Sequence, residues 1–187
     1  MFNRSGRGWR VGLLAWVGLV SLALLRAESM IPLSPAELAA RAEVVIHGKV
    51  LSKTCQRRGN QRLCTVVELG VDEVWKGVVQ GNRFQLVQAG GVLGDLRVGM
   101  TGQPDYRPGE EVVVFARLND RGEGVTIGLA QGKFEVWQAA AGGPKYARNP
   151  FYGQPGGAGV ATPAARADGA GGLSLATLKH WVRGGAR

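Results

Sequence analysis

The sequence predicts a mainly β domain, a small closed barrel of five or six strands with a short helix before it and another after it. Apolar runs that alternate or are rich in β-branched residues recur at short intervals between residues 44 and 138. Glycine-rich and proline-rich turns separate these runs. Short strands at such spacing are typical of all-β sandwiches and barrels.

The first 29 residues predict a secretory signal peptide ahead of this domain. Arg4, Arg7 and Arg10 precede an uncharged apolar run over residues 11–25, and small residues follow at Ala27 and Ser29. This order is typical of a signal peptide, and the run is shorter than the roughly 20 residues that span a bilayer. We therefore expect an exported protein, periplasmic or secreted. Membrane contact is expected only if the segment stays attached as an anchor.

Charge is distributed unevenly along the chain. The formal net charge is +9, yet residues 28–142 carry 13 basic and 13 acidic side chains. The excess lies in the first 27 residues and in the segment 143–187. A nucleic-acid-binding domain normally carries a basic footprint of its own, so a nucleic-acid partner is not expected.

The domain, residues 30–141, begins with a helix signal and continues into a long hairpin. Ser34, Pro35 and Glu37 form a capping box with proline at the first helical position, which predicts a helix over residues 35–41. The stretch 42–77 then predicts two long strands. Gly48 indicates a bulge, a sharp coil or a close backbone approach in the first strand, and slipped alternation near residues 72–73 indicates an extra residue in the second.

Shorter strands follow the hairpin. The hydrophobic run 111–118 predicts a central strand that is buried on both faces. The other predicted strands cover residues 84–88, 92–100, 125–129 and 133–138, with a two-proline loop at 102–109 and a turn at 119–122.

The composition changes after residue 141. Residues 142–172 are rich in Gly, Ala and Pro, which predicts a flexible linker. A short helix is expected within 173–187, with Ser174 as its N-cap. Its apolar face, Leu178 and Val182, is too small to be stable alone, so the helix either docks on the barrel or frays.

The two cysteines, Cys55 and Cys64, are expected to form a disulfide because exported chains fold in oxidising compartments. Two cysteines alone cannot build a structural zinc site, and His47 and His180 lack ligand spacing. No metal or cofactor is therefore expected. No catalytic motif is visible either, and His47 is interpreted as an ordinary strand histidine, so we do not expect an enzyme.

The candidate contact surface is the basic tip of the long hairpin, with Lys53, Arg57, Arg58 and Arg62. One interpretation is a charged turn that only keeps the chain soluble. The other is contact with an acidic protein, an anionic polysaccharide or a phospholipid head group. Tyr106, in the two-proline loop, marks a second candidate face because binding residues often lie on loops.

Four segments carry a resemblance to known proteins. They are the run 42–50 with Gly48, the run 71–77 that ends in Lys76-Gly77, the run 102–115 with Gly109-Glu110, and the run 128–136 with Gln131-Gly132. This set resembles a group of uncharacterised exported bacterial proteins, over about residues 33–138. Some members of that group accompany matrixin-type metalloprotease domains.

The order of a strand, a strand that ends in Lys76-Gly77, and Gly109-Glu110 before a hydrophobic strand is similar to netrin-like modules, which include the tissue inhibitors of metalloproteinases. That resemblance implies an OB-type barrel. Those inhibitors bind the protease zinc through an N-terminal cysteine, and here no cysteine precedes Cys55, so their mechanism does not carry over. The sequence thus favours an exported, non-catalytic binding module for a protein or polyanion. An accessory domain for an exported metalloprotease and an uncharacterised hydrolase are the alternatives.

Overall fold

The computed structural model describes residues 31–99, 101–153 and 173–184. The predicted signal peptide lies outside these residues, as does the larger part of the predicted linker, 154–172. Contacts between residues divide the chain into two units, Met1–Ile31 and Pro32–Arg187, and the elements below all lie in the second. In the described residues no helix is long and apolar enough to cross a membrane.

The mainly β prediction is confirmed: within the described residues, 49% lie in strands and two segments are α-helical. The helices are α1 (Pro35–Arg41) and α2 (Leu175–Gly184), and a 3-10 turn covers Leu129–Gly132. The strands are β1 (Val44–Arg58), β2 (Arg62–Lys76), β3 (Arg83–Ala89), β4 (Gly91–Leu93), β5 (Leu96–Val98), β6 (Glu111–Leu118), β7 (Gly124–Thr126), β8 (Lys133–Gln138), β9 (Lys145–Arg148) and β10 (Leu173–Ser174).

Five strands form a partly closed ring. Their order is β1-β2-β3-β7-β6, and β6 pairs again with β1. Four of the five junctions are antiparallel ladders, whereas β3 and β7 meet in parallel through a single pair, Leu86 and Gly124. Gly124 is needed there, because a Cβ atom would lie 2.6 Å from the ring of Phe84. Strands β8, β9 and β10 extend the sheet from β6.

The long hairpin has the irregularities that its sequence predicts. The β1–β2 register shifts between His47, opposite Glu73, and Gly48, opposite Val71, so Asp72 is the extra residue. A Cβ atom on Gly48 would lie 2.1 Å from the carbonyl oxygen of Gly70. The bulge and the close backbone approach are therefore both confirmed, and together they bend the ribbon into the ring.

The ring separates two apolar clusters. One lies inside it and includes Val50, Val67, Leu69, Leu86 and Tyr106. The other lies on the opposite face of β1 and β6, beneath the helices, and includes Val45, Phe115, Phe134, Leu38 and Leu178. Strand β6 contributes to both clusters, which confirms its prediction as a central, doubly buried strand.

Both helices cover the outer cluster. The predicted capping box of α1 is present: the amide of Glu37 donates to Ser34 Oγ at 3.2 Å, and the amide of Ser34 donates to Glu37 Oε2 at 2.8 Å. Helix α2 packs against α1, β2 and β9. Leu178 and Val182 are buried beneath it, so the C-terminal helix docks.

Two predicted segments differ from the structure. Residues 145–148, expected within the flexible linker, form β9 and add a strand beside β8. The predicted strand over residues 92–100 is instead the hairpin β4–β5, because Gly94, with a φ of 58°, turns the chain between Leu93 and Leu96. The alternation is real, but it belongs to two strands of three residues.

Candidate functional site

The predicted disulfide between Cys55 and Cys64 is wrong, since both thiols are free. Cys55 lies opposite Thr65, and Cys64 lies opposite Gln56. Directly opposed residues share a face of a sheet and successive residues alternate, so this offset of one residue points the two thiols to opposite faces. A bridge would need the register of the whole tip to slip.

The same alternation divides the basic tip between two faces of the ribbon. Lys53 shares a face with Cys55, at one open end of the ring, whereas Arg58 and Arg62 share a face with Cys64. Arg57 is exposed and donates from Nη1 to the backbone oxygen of Gln61 at 3.3 Å. The four basic residues therefore do not form one continuous surface.

On the Lys53 face lies a cleft of about 580 Å³, which we call the mouth cleft. It opens where the interior cluster of the ring ends. Its walls are the β1–β2 ribbon, the β4–β5 hairpin and the start of the two-proline loop. It is lined by Lys53, Cys55, Thr65, Gln88, Gly91, Val92, Arg97, Val98, Gly99, Gln103, Pro104 and Asp105.

The floor of the mouth cleft is held by internal hydrogen bonds. The hydroxyl of Thr65 donates to the carbonyl oxygen of Gly90 at 2.8 Å. The side-chain amide of Gln88 donates to the carbonyl oxygen of Pro104, also at 2.8 Å. Gly91 packs so closely that a Cβ atom would lie 2.5 Å from both Cys55 Sγ and Thr65 Oγ1. The hairpin is thus fixed at its base over the floor.

The hairpin carries an unusual share of exposed apolar surface, and we call residues 91–98 the apolar hairpin. The exposed fractions are 52% for Val92, 37% for Leu93, 47% for Leu96 and 52% for Val98. Leu93 lies opposite Leu96, and Val98 opposite Gly91. Leu93, Leu96 and Val98 therefore share one face of the hairpin. Gly91 belongs to the same face, and it lies against Cys55 and Thr65 on the floor of the cleft.

The mouth cleft is basic on two sides. Lys53 Nζ donates to Asp105 Oδ1 at 2.8 Å, and Arg107 Nε donates to Asp105 Oδ2 at 3.1 Å. The hydrogen bond from Lys53 lowers the pKa of Asp105, which therefore stays ionised and neutralises part of this charge. Arg97 is exposed on the hairpin and makes no ion pair with any described residue.

Tyr106 does not form a contact surface. It is 1% exposed and belongs to the interior cluster, and its hydroxyl hydrogen-bonds to that of Thr126 at 2.8 Å. Lys133 Nζ lies 5.1 Å from the ring centroid, and burial raises the pKa of the phenol well above its usual range. The residue anchors the two-proline loop to the ring, so the prediction that Tyr106 belongs to a contact surface is wrong.

His47 belongs to a rim network on the outer face. Its Nε2 hydrogen-bonds to Glu111 Oε1 at 2.6 Å, and Lys145 Nζ binds the same oxygen at 2.7 Å. Burial alone would raise the pKa of Glu111, but Lys145 and His47 lower it. The imidazole lies 5.8 Å from the ring of Trp75. Among the described residues no serine, threonine or cysteine hydrogen-bonds to His47, and the imidazole packs beside Trp75 and hydrogen-bonds to Glu111.

Several residues of this site were not predicted from the sequence to have a role. The apolar hairpin was expected to be a single strand, so Val92, Leu96 and Arg97 were assigned no exposed role. The available signal was Gly94-Asp95 between apolar residues, a recognised hairpin-turn pair. Arg121 was assigned only to a turn, although the structure places it beside Arg58 and Arg62.

Comparisons with known proteins add no assignment. No family model matches the chain, and no curated protein matches it in sequence. Within the described part of the chain, no three His, Cys, Asp or Glu side chains are grouped as a metal site.

Proposed function

We propose that this protein is a non-catalytic binding module, and that its contact site is the mouth cleft together with the apolar hairpin. The occupant is an extended, acidic segment of a partner protein. One observation carries the proposal: aliphatic side chains on a six-residue pair of strands stand exposed beside a basic cleft of about 580 Å³.

The apolar part of the argument rests on exposure. Scattered apolar residues are normal on a protein surface, whereas a contiguous group next to a cleft marks an interaction site. Fully burying a Val or Leu side chain contributes about 1.5–3 kcal/mol, and the three that share one face of the hairpin, Leu93, Leu96 and Val98, are between 37% and 52% exposed. A covering partner therefore gains on the order of 1 kcal/mol from each of them.

Charge selects the kind of partner. Lys53 lies on one wall and Arg97 on the other, and only Lys53 is matched by an acid, Asp105. A carboxylate that enters the cleft would meet Arg97, whose planar guanidinium suits carboxylates. For a basic segment the cleft offers only one acidic side chain, Asp105, and that carboxylate is already paired with Lys53 and Arg107.

The fold supports the same site. We infer that the ring is an OB-type barrel, since it is five-stranded, partly closed and formed mainly by antiparallel pairs. OB folds bind ligands on the face of their second and third strands and on the loops beside it. Here that face supplies Thr65 from β2 and Gln88 from β3, with the β1–β2 tip at its border.

Export remains part of the proposal, together with the resemblance to exported bacterial proteins. N-terminal sequencing of protein recovered from the periplasm or the medium tests it. A start near residues 28–30 is expected, and an intact Met1 would contradict cleavage.

Selection from a random peptide display library tests the contact site. The selected peptides should combine acidic and aliphatic residues. Their binding should be lost in Arg97→Glu and Leu96→Asp. It should persist in two matched controls away from the cleft: Lys49→Glu, which changes the net charge equally, and Val78→Asp, which places the same acid at an exposed valine. Equal binding by both pairs of variants, or no selected peptide, would refute the proposal.

A further inference from the structure

The second face of the tip holds a separate pocket, of about 240 Å³, which we call the arginine pocket. Three arginines reach it from two different hairpins. Arg58 and Arg62 come from the β1–β2 tip, and Arg121 comes from the β6–β7 turn. Two acids, Asp120 and Glu123, lie in the same lining.

One arginine and one acid neutralise each other inside the pocket. Arg58 Nη1 donates to Glu123 Oε1, and the amide of Asn119 donates to Glu123 Oε2 at 3.0 Å. Burial alone would raise the pKa of Glu123, but the Arg58 hydrogen bond lowers it. The side-chain amide of Gln56 also faces Arg58, and with its oxygen rather than its nitrogen turned toward the guanidinium it accepts from Arg58 Nε at 2.6 Å. The charges of Arg58 and Glu123 are therefore already paired with each other.

The turn that carries Arg121 is held in one conformation. The side-chain oxygen of Asn119 accepts from the amide of Arg121 at 2.9 Å and from that of Glu123 at 3.0 Å. The amide of Gly122 donates to the carbonyl oxygen of Asn119 at 2.9 Å. Arg121 is thus presented from a fixed backbone, which reduces the entropy that a ligand must overcome.

Arg62 and Arg121 remain uncommitted. Both are exposed, and neither side chain makes a hydrogen bond or an ion pair with a described residue. They face the same pocket from opposite hairpins, beside the occupied Arg58. Guanidinium groups bind tetrahedral oxyanions through two parallel N–H donors, and such charge-assisted bonds are stronger than neutral ones.

We propose that the arginine pocket binds a tetrahedral oxyanion, the phosphate or sulfate group of an ester, between Arg62 and Arg121. The site lies on the face of the ribbon opposite the mouth cleft, so it does not depend on the protein partner proposed above. Asp120 is the one acid in the pocket that no described cation neutralises. It opposes the ligand, so a single free ion binds weakly and removal of this carboxylate strengthens binding.

The experiment titrates the full chain at constant ionic strength with inorganic phosphate and, separately, with sulfate. Amide chemical shifts of residues 119–123 report the binding. Arg62→Gln and Arg121→Gln should each weaken binding roughly tenfold or more, since each removes hydrogen bonds to a charged group. Asp120→Asn should strengthen it. Arg83→Gln and Lys49→Gln, which remove the same charge outside both the arginine pocket and the mouth cleft, should leave it unchanged.

Vesicles identify the source of the group. If vesicles containing phosphatidate compete with inorganic phosphate while pure phosphatidylcholine vesicles do not, the site takes a lipid phosphate. If neither competes, it takes a soluble ester. The proposal fails if neither free ion shifts these amides, if Asp120→Asn has no effect, or if all arginine-to-glutamine variants lose affinity equally. None of these results bears on the peptide selection, so the two proposals fail separately.

Discussion

Gly91→Ala should displace the apolar hairpin from the mouth cleft. The new Cβ atom would lie 2.5 Å from Cys55 Sγ and from Thr65 Oγ1, against 3.4–4 Å for an ordinary contact. The hairpin must therefore move by about 1 Å, and the hydrogen bond from Thr65 to Gly90 is lost. The φ of +144° adds strain, because side chains rarely adopt it.

The expected loss in the free energy of unfolding is about 2–4 kcal/mol. Overpacking costs about 1–3 kcal/mol, and a strained backbone residue costs about as much again. The loss in the free energy of unfolding is limited because the hairpin can detach and relieve the clash. The ring stays closed in that case, since β4 and β5 form a separate two-stranded sheet. Urea unfolding measures the loss. The alkylation rate of Cys55, which lies against Gly91, should rise as the hairpin moves.

Gly94→Ala is the matched control in the same hairpin. Gly94 also has a positive φ, +58°, but a Cβ atom there would meet nothing within 4 Å. Only the conformational cost of about 1 kcal/mol is expected, with Cys55 as slow to react as in the parent chain. If Gly91→Ala proves no more destabilising than Gly94→Ala, the close packing inferred at the hairpin base is wrong.

Three further predictions concern the thiols, helix α2 and its ion pair. Protein purified without reductant should contain two free thiols per chain by mass spectrometry after alkylation, and an intramolecular bridge would contradict the register. Leu178→Ala should cost about 2–5 kcal/mol in urea unfolding, because this side chain is fully buried, whereas exposed His180→Ala should change little. Lys179→Met should cost about 0.5 kcal/mol at neutral pH, because Lys179 lowers the pKa of Glu73 across a partly exposed pair. That difference should vanish as the pH falls through the lowered pKa of Glu73, below the ordinary Glu value of about 4.3, and a constant difference in unfolding free energy would contradict the pairing.

Local sequence patterns were sufficient to predict those features that depend on backbone hydrogen bonding and backbone conformation. Ser34 and Glu37 specify α1 because their side chains satisfy the free amides of its first turn. Gly48 and the slipped alternation near Asp72 specify the bulge because the apolar positions of β2 change face at the extra residue. These features depend on neighbours in sequence or across one hairpin.

Features that depend on distant neighbours were not predictable in this way. The cysteines lie close enough in sequence for a bridge, but the register shift between Val50 and Ser52 in β1 moves them out of opposition and separates their side chains. Tyr106 lies in a loop of polar and proline residues, yet that loop folds over the open end of the ring and buries it. The arginine pocket joins turns that lie about 60 residues apart in sequence, so neither hairpin indicates it alone.

The central claim, that a partner occupies the mouth cleft, can be tested through the two thiols. Cys55 lines this cleft and Cys64 lines the arginine pocket on the other face, so the second thiol is an internal control. Alkylation of both is followed with and without a saturating acidic peptide from the display selection. The peptide should slow the reaction of Cys55 and leave that of Cys64 unchanged. An unchanged Cys55 rate, or equal protection of both thiols, would contradict the claim.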